Sequence, residues 1–180
     1  MQLNVGTRDL EFKEFLSFLR DGETVEIYTD GSCIGNPGPG GWGVVFVSRN
    51  RRTTLSGFEK MTTNNRMELM AAIKSIESMP ENVNLVLYTD SAYVKNGITV
   101  WIKNWKINNW KSSTGKPIKN QDLWENLSNV IQNHKIEWNW VKGHADCTNN
   151  NNADFIARSA IVSSYMEDDS RTLSGFEKPE

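Results

Sequence analysis

Two apolar segments of the sequence end in the same three residues, Tyr-Thr-Asp, at positions 28–30 and 88–90. The residues before each aspartate predict a β-strand in both places, and a segment with helical spacing lies between them. Strands joined through a helix run parallel, so their carboxyl ends lie at the same edge of the sheet. If these two strands are neighbours, Asp30 and Asp90 meet in the crevice where α/β proteins bind ligands.

The other segments complete the predicted fold. The first strand is followed by a Gly/Pro-rich turn and two further strands, which indicates an antiparallel meander. The strongest helical pattern covers residues 62–79, and a last apolar alternation covers residues 135–141. Shorter helical patterns occupy residues 91–98, 122–133 and 153–165. The order predicts an α/β fold with a five-stranded mixed sheet, three antiparallel strands and then two parallel ones, with helices on both faces.

The chain divides into three segments by pattern. Residues 1–22 have the spacing of a short amphipathic helix that packs ahead of the main domain, which we place at residues 23–165. Residues 166–180 are predicted to form a disordered tail. The heptapeptide TLSGFEK occurs at 54–60 and again at 172–178 without any wider repeat. We interpret the second copy as tail or sequence duplication, with an edge strand as the alternative.

Charge and cysteine content exclude several classes of protein. A formal net charge of -2 and a pI of about 5.8 are not those of a protein that coats nucleic acid by bulk positive charge, so such binding requires a local basic patch. Two cysteines, Cys33 and Cys147, are too few for a disulfide framework. Because the sequence also has no signal-peptide pattern and no membrane span, we expect a cytoplasmic protein.

Two further acidic residues alter the interpretation of Asp30 and Asp90. Glu68 stands in the first turns of the strongest helix, and Asp154 opens the last one. Each of the four carboxylates, taken alone, is explained by turn formation or by helix capping. Together in one crevice they would repel one another unless cations held them, and hard oxygen ligands select Mg²⁺ or Mn²⁺. A pair of such ions indicates phosphodiester hydrolysis.

Several motifs occur in one order along the chain: DGSCIGNPGPGGWG, TTNNRMELMAAI, YTDSAYV, WVKGHA and the aspartate of the last helix. Together they resemble bacterial type 1 ribonuclease H (ribonuclease HI) from about Glu23 to Ala160. The resemblance implies the ribonuclease H-like fold and an endonuclease that hydrolyses the RNA strand of RNA/DNA hybrids. It also implies two Mg²⁺ ions, with Mn²⁺ as the alternative, and products with 5′-phosphate and 3′-hydroxyl ends. We expect a monomer.

The resemblance assigns the catalytic residues position by position. The metal-binding carboxylates are Asp30, Glu68, Asp90 and Asp154, and Asp30 bridges both ions. His144 matches a loop histidine that assists proton transfer or product departure. We interpret the four asparagines at 149–152 as a flexible segment that lets His144 reach the metal site.

A lysine-rich stretch supplies the basic patch that the net charge requires. Residues 101–119, called the lysine segment below, contain no acidic residue, and their lysines and rings suit backbone phosphates, sugars and bases. These residues are Lys103, Lys106, Lys111, Lys116 and Lys119, with Trp101, Trp105 and Trp110. By resemblance, Trp101 lies along the DNA strand, and Thr63 and Asn120 hold a DNA phosphate. The RNA strand is contacted by Cys33, Asn36, Asn64, Asn65 and Glu68.

Three positions depart from the family pattern, and two alternative functions remain open. Met61, Ala92 and Asn151 replace an arginine, a glutamine and an acidic residue. One alternative is another nuclease of the same broad fold, such as a junction resolvase or transposase-like enzyme. The other is a catalytically inert hybrid-binding module. The lysine segment argues against the first, and the four carboxylates argue against the second.

Overall fold

The structure, a computed structural model, describes residues 5–142 and 147–174. In these residues the strands are β1 (Thr24–Cys33), β2 (Gly38–Ser48), β3 (Arg51–Thr62), β4 (Asn84–Thr89) and β5 (Lys135–Trp140). The α-helices are α1 (Val5–Ser17), α2 (Asn64–Glu77), α3 (Ala92–Asn96), α4 (Ile102–Ile107), α5 (Gln121–Val130) and α6 (Thr148–Ser174). A π-helical turn, Gly97–Trp101, joins α3 to α4, and a 3-10 turn, Ile131–Asn133, follows α5.

The strands form one sheet in the order β3-β2-β1-β4-β5. β2 pairs antiparallel with both β1 and β3, whereas β4 pairs parallel with both β1 and β5. The parallel pairs follow from the helices that connect them, because a chain must cross back over the sheet before it can run in the same direction. The predicted fold class is confirmed.

Apolar side chains line both faces of the sheet because successive residues of a strand point to opposite sides. Trp42, Val44 and Phe46 of β2 belong to the main core, together with side chains from α1, α2 and α5. Val45 faces the other way and packs with Ala153 of α6. The sheet is therefore covered by helices on both faces, as predicted.

Helix α6 approaches the sheet closely over two glycines of β2. A Cβ atom on Gly43 would lie 2.4 Å from the carbonyl oxygen of Ala153, and one on Gly41 would lie 2.2 Å from that of Ala157. Only a residue without a side chain permits this contact between backbones. The glycines thus set the distance between α6 and the sheet, and with it the position of Asp154.

The run of four asparagines is helical, so the prediction of a flexible segment at 149–152 is wrong. Helix α6 already begins at Thr148. The side chain of Asn149 forms a hydrogen bond with Tyr28, and the side chain of Asn150 is buried. Asparagine side chains can satisfy open backbone groups or neighbouring polar groups near a helix start. Composition alone suggested a loop, but these tertiary contacts hold the run in a helix.

The end of the chain also differs from expectation where the structure describes it. Helix α6 continues past residue 165 to Ser174, so residues 166–174 are helical rather than disordered. The ring of Tyr165 lies 6.5 Å from that of Phe58 in β3. The first TLSGFEK copy lies within β3, while residues 172–174 of the second copy end α6 and the rest lie outside the described residues. Within the described ranges, no helix combines the length and apolar character of a membrane span.

The N-terminal helix is packed into the core, as its apolar spacing predicted. Phe15 of α1 is 4% exposed, and its ring centroid lies 6.3 Å from that of Phe46. The ring of Phe12 lies 5.6 Å from the same side chain. Helix α1 therefore closes one end of the main core.

We predict that Phe15→Ala lowers the free energy of unfolding by about 3–5 kcal/mol, because it leaves a cavity beside Phe46. Urea unfolding followed by circular dichroism measures this change. Leu10→Ala is the matched control, since Leu10 lies on the same helix but is 66% exposed. It should change stability by no more than about 0.5 kcal/mol. Equal effects of the two substitutions would show that α1 does not pack as described.

Candidate active site

The parallel pairing of β1 and β4 places two aspartates side by side. Tyr28 and Tyr88 are opposite each other in the register of the two strands, and Asp30 and Asp90 follow two residues later in each chain segment. Both carboxylates therefore lie at the same edge of the sheet. Asp30 is 7% exposed, whereas Asp90, just past the end of β4, is partly exposed.

Helix α2 brings Glu68 to the same edge. Its first turn is capped by Thr63, whose hydroxyl accepts a hydrogen bond of 3.3 Å from the backbone N–H of Arg66. A Cβ atom on Gly31 would lie 2.5 Å from the backbone nitrogen of Glu68. The glycine after Asp30 therefore lets α2 approach β1, and the side chains of Asp30 and Glu68 share a hydrogen bond.

Three of the predicted metal-binding residues form a compact group. Asp30, Glu68 and Asp90 each present one carboxylate oxygen, and these oxygens all lie within 4.8 Å of one another. The three residues come from two strands and a helix that are far apart in sequence. Their convergence was predicted from the two Tyr-Thr-Asp segments and the position of Glu68, and the structure brings these three together.

The group carries more negative charge than its surroundings stabilise. Burial and the charges of Asp90 and Asp154 together raise the pKa of Asp30 to about 7, although its hydrogen bond with Glu68 acts in the opposite direction. Burial also raises the pKa of Glu68 well above its usual range, with a further contribution from Asp30. A second oxygen of Glu68 is buried without a hydrogen-bond partner in the described part of the chain. Buried carboxylate oxygens in this arrangement fit a hard divalent cation.

Asp154 lies beside the group but not within it. Its carboxylate forms an ion pair with Arg158, one turn further along α6. It is nevertheless close enough for its charge to raise the pKa of Asp30. Asp154, the fourth predicted ligand, thus lies next to the other three, and its ion pair with Arg158 holds its carboxylate in place. His144 lies outside the described residues.

Four of the predicted RNA-contacting residues lie where the end of β1 and the β1–β2 turn meet the start of α2. The side-chain oxygen of Asn36 accepts a hydrogen bond of 3.0 Å from the backbone N–H of Asn64. The thiol of Cys33 lies 3.4 Å from the carbonyl oxygen of Thr62. Asn64 is exposed and Asn65 is partly exposed. These contacts join the end of β1 and the β1–β2 turn to the start of α2, the helix that carries Glu68.

Arg66 connects the two residues predicted to hold a DNA phosphate. Its backbone N–H donates to Thr63, and its guanidinium donates a bond of 3.4 Å to the side-chain oxygen of Asn120. The same guanidinium forms two bonds, 2.9 and 2.7 Å long, with the carboxylate of Asp122. We did not predict this role from the sequence, although Arg66 lies inside the TTNNRMELMAAI motif. Met61, the position that lacks the family's arginine, is 72% exposed.

The lysine segment is basic on its surface and aromatic beneath. Its five lysines are exposed. Its three tryptophans are only partly exposed, and two of them pack against Trp124 of α5 while Trp110 packs against Trp105. The ring centroids of Trp101 and Trp105 lie 6.3 and 5.4 Å from that of Trp124. The rings therefore anchor the segment to the core, which the sequence did not predict, and less of their surface faces solvent than we expected.

Comparison with known proteins gives consistent matches. A sequence model of the RNase H family matches residues 22–162. The ribonuclease H of Nitrosococcus oceani is 53% identical over 140 residues, which are 78% of this chain and 95% of that protein. Among solved structures, LC9-RNase H1, a type 1 RNase H with the type 2 active-site motif, is 32% identical with a TM-score of 0.72 and covers 81% of this chain and 75% of its own. LC11-RNase H1 in complex with RNA/DNA hybrid, 20% identical with a TM-score of 0.59, covers 78% of this chain and 99% of its own and shares the fold.

The raised pKa of Asp30 predicts how stability depends on pH without metal. Because the folded protein favours the protonated carboxyl, this group stabilises the fold at low pH, and the contribution is lost as pH rises from about 4 to about 7. Asp30→Asn removes the charge, so at pH 8 in chelator it should raise the free energy of unfolding by on the order of 2 kcal/mol. At pH 4 the two proteins should differ little.

Thermal and urea unfolding at both pH values measure this difference. Asp9→Asn, at an exposed carboxylate on α1, is the matched control and should change stability little at either pH. A pH-independent effect of Asp30→Asn would contradict the prediction.

Proposed function

The chain belongs to the ribonuclease H family, and we propose that it is an endoribonuclease that hydrolyses the RNA strand of RNA/DNA hybrids at the group formed by Asp30, Glu68 and Asp90. The observation that carries this proposal is the convergence of three carboxylate oxygens within 4.8 Å at one edge of the sheet. The RNA-contacting and lysine-rich surfaces supplement it. A solved protein of the same fold was crystallised with such a hybrid.

The three carboxylates and Asp154 would hold the metal ions. Two Mg²⁺ ions, or Mn²⁺ in their place, would supply an activated water and stabilisation of the leaving oxygen, giving 5′-phosphate and 3′-hydroxyl ends. Asp30 would be the central ligand of this group, because its carboxylate is hydrogen-bonded to Glu68 and lies beside Asp90. The ion pair with Arg158 holds the carboxylate of Asp154 beside the other three. A rotation of this side chain would bring it to the metal ions. His144 would move a proton or help product leave.

Substrate selection would depend on the surfaces beside the carboxylates. Cys33, Asn36, Asn64 and Asn65 would recognise the 2′-hydroxyl groups of the RNA strand in the wide minor groove. Thr63 and Asn120, linked through Arg66, would hold a phosphate of the DNA strand. The lysine segment would attract further phosphates. We also propose a cytoplasmic monomer, consistent with the free thiols of Cys33 and Cys147.

The first test is cleavage of one labelled RNA strand offered as an RNA/DNA hybrid, as double-stranded RNA and as a single strand. We expect cleavage of the hybrid alone, only with Mg²⁺ or Mn²⁺. Asp30→Asn should lower the rate by at least about a hundredfold. Asp9→Asn should cleave as the wild type does. Hybrid binding without cleavage in either metal would instead identify an inert hybrid-binding module.

The lysine segment predicts a salt-dependent contribution to hybrid binding. Exchanging both Lys103 and Lys106, which are exposed on α4, for glutamine should weaken binding. The slope of log K against log salt should fall by about 0.9 for each phosphate that the variant no longer neutralises. The Asp30→Asn background prevents cleavage during the titration. Lys135→Gln, at the opposite end of the sheet, is the control, and equal slopes in all proteins would refute the prediction.

A further inference from the structure

The backbone at Asp90 lies just beyond the paired part of the sheet. The register of β4 and β5 ends at the pair formed by Thr89 and Trp140. The carbonyl of Thr89 still accepts a hydrogen bond of 2.9 Å from the backbone N–H of Val141. The carbonyl of Ser91 accepts one of 3.1 Å from Lys95 as α3 begins. Asp90 lies between these two regular bonds, after the last residue of β4 and before the first residue of α3.

A side chain of β5 contacts the backbone at this position. The indole N–H of Trp140 donates a hydrogen bond of 3.2 Å to the carbonyl oxygen of Asp90. We propose that Trp140 is a positioning residue for Asp90, and that it orients the peptide from which the carboxylate reaches the metal site. This inference rests on the proposed function, because it concerns how a ligand of that site is held. Nothing in the spacing of the sequence indicated it.

The indole is itself held in place. The ammonium of Lys95 lies 5.0 Å from the ring centroid of Trp140, on its face. Trp140 is 47% exposed, so packing covers only part of its ring. The ring is thus fixed by the cation on one side and by its N–H bond at the edge. Phenylalanine in its place would keep a ring for Lys95 and lose only the donor.

The physical effect concerns the free protein before it binds metal. Without the indole bond, the peptide that follows β4 has one fewer constraint, so the Asp90 carboxylate samples more positions around Asp30 and Glu68. Metal binding must then order it. Removing a neutral hydrogen bond of this kind corresponds to about a three- to tenfold change in an equilibrium constant.

The experiment compares wild type, Trp140→Phe and Trp138→Phe. Trp138 lies two residues earlier on β5 and packs against the core, so it controls for removing one indole from this strand. Each substrate-free protein is titrated with Mg²⁺ while nuclear magnetic resonance follows the backbone amides of Asp90 and Ser91. Urea unfolding confirms that each variant is folded. Cleavage of the hybrid is then measured at several Mg²⁺ concentrations.

We expect Trp140→Phe to raise the Mg²⁺ midpoint about three- to tenfold, and Trp138→Phe to leave it unchanged. In cleavage, Trp140→Phe should lower kcat at low Mg²⁺, regain it at high Mg²⁺ and leave KM for the hybrid unchanged. An unchanged midpoint overturns the proposal. So does a raised KM with an unchanged midpoint, which would place Trp140 against the hybrid instead. Failure of wild type to cleave would refute the proposed function, whereas the metal titration would still decide the role of Trp140.

Discussion

The parallel pairing of β1 with β4 is the constraint on which the site depends. This pairing places Asp30 and Asp90 side by side. Helix α2 brings Glu68 to the same position. Burial and mutual repulsion raise the pKa values of Asp30 and Glu68, so ionisation of this group opposes folding. The apolar core on both faces of the sheet must supply the free energy that keeps these charges together.

Glycines allow two helices to approach the sheet closely. Gly31 lets the backbone of α2 approach β1, and Gly41 and Gly43 let α6 approach β2. These contacts place Glu68 and Asp154 relative to Asp30 more strictly than side-chain packing would, because backbone atoms cannot change rotamer. The geometry of the carboxylate group is therefore set by rigid elements, while polar contacts such as the indole bond of Trp140 hold residues that lie past the strand ends.

The carboxylate group and the lysine segment occupy different parts of the structure. The carboxylates lie at the edge of the sheet, where Asp30 is buried and Asp90 is partly exposed, and the lysines lie on an exposed segment anchored by the tryptophans around Trp124. Arg66 stands between the two regions, joined to Asp122 and Asn120 just past the segment's end and to Thr63 at the start of the catalytic helix. In the proposed function, a duplex bound to the lysines by its phosphates would lie at a fixed position relative to the carboxylates.

The sequence by itself determined the element order, the mixed sheet and the convergence of Asp30, Glu68 and Asp90. These follow from local periodicity, from the connection of strands through helices and from motifs short enough to read directly. Only the tertiary structure decided the helical state of residues 149–152, the extension of α6 to Ser174, the pairing of Asp154 with Arg158 and the indole bond of Trp140. The physical reason is that each of these depends on contacts between residues brought together by packing. Asn150 is buried and Trp140 meets Asp90 fifty residues away in the chain, and no local pattern encodes either contact.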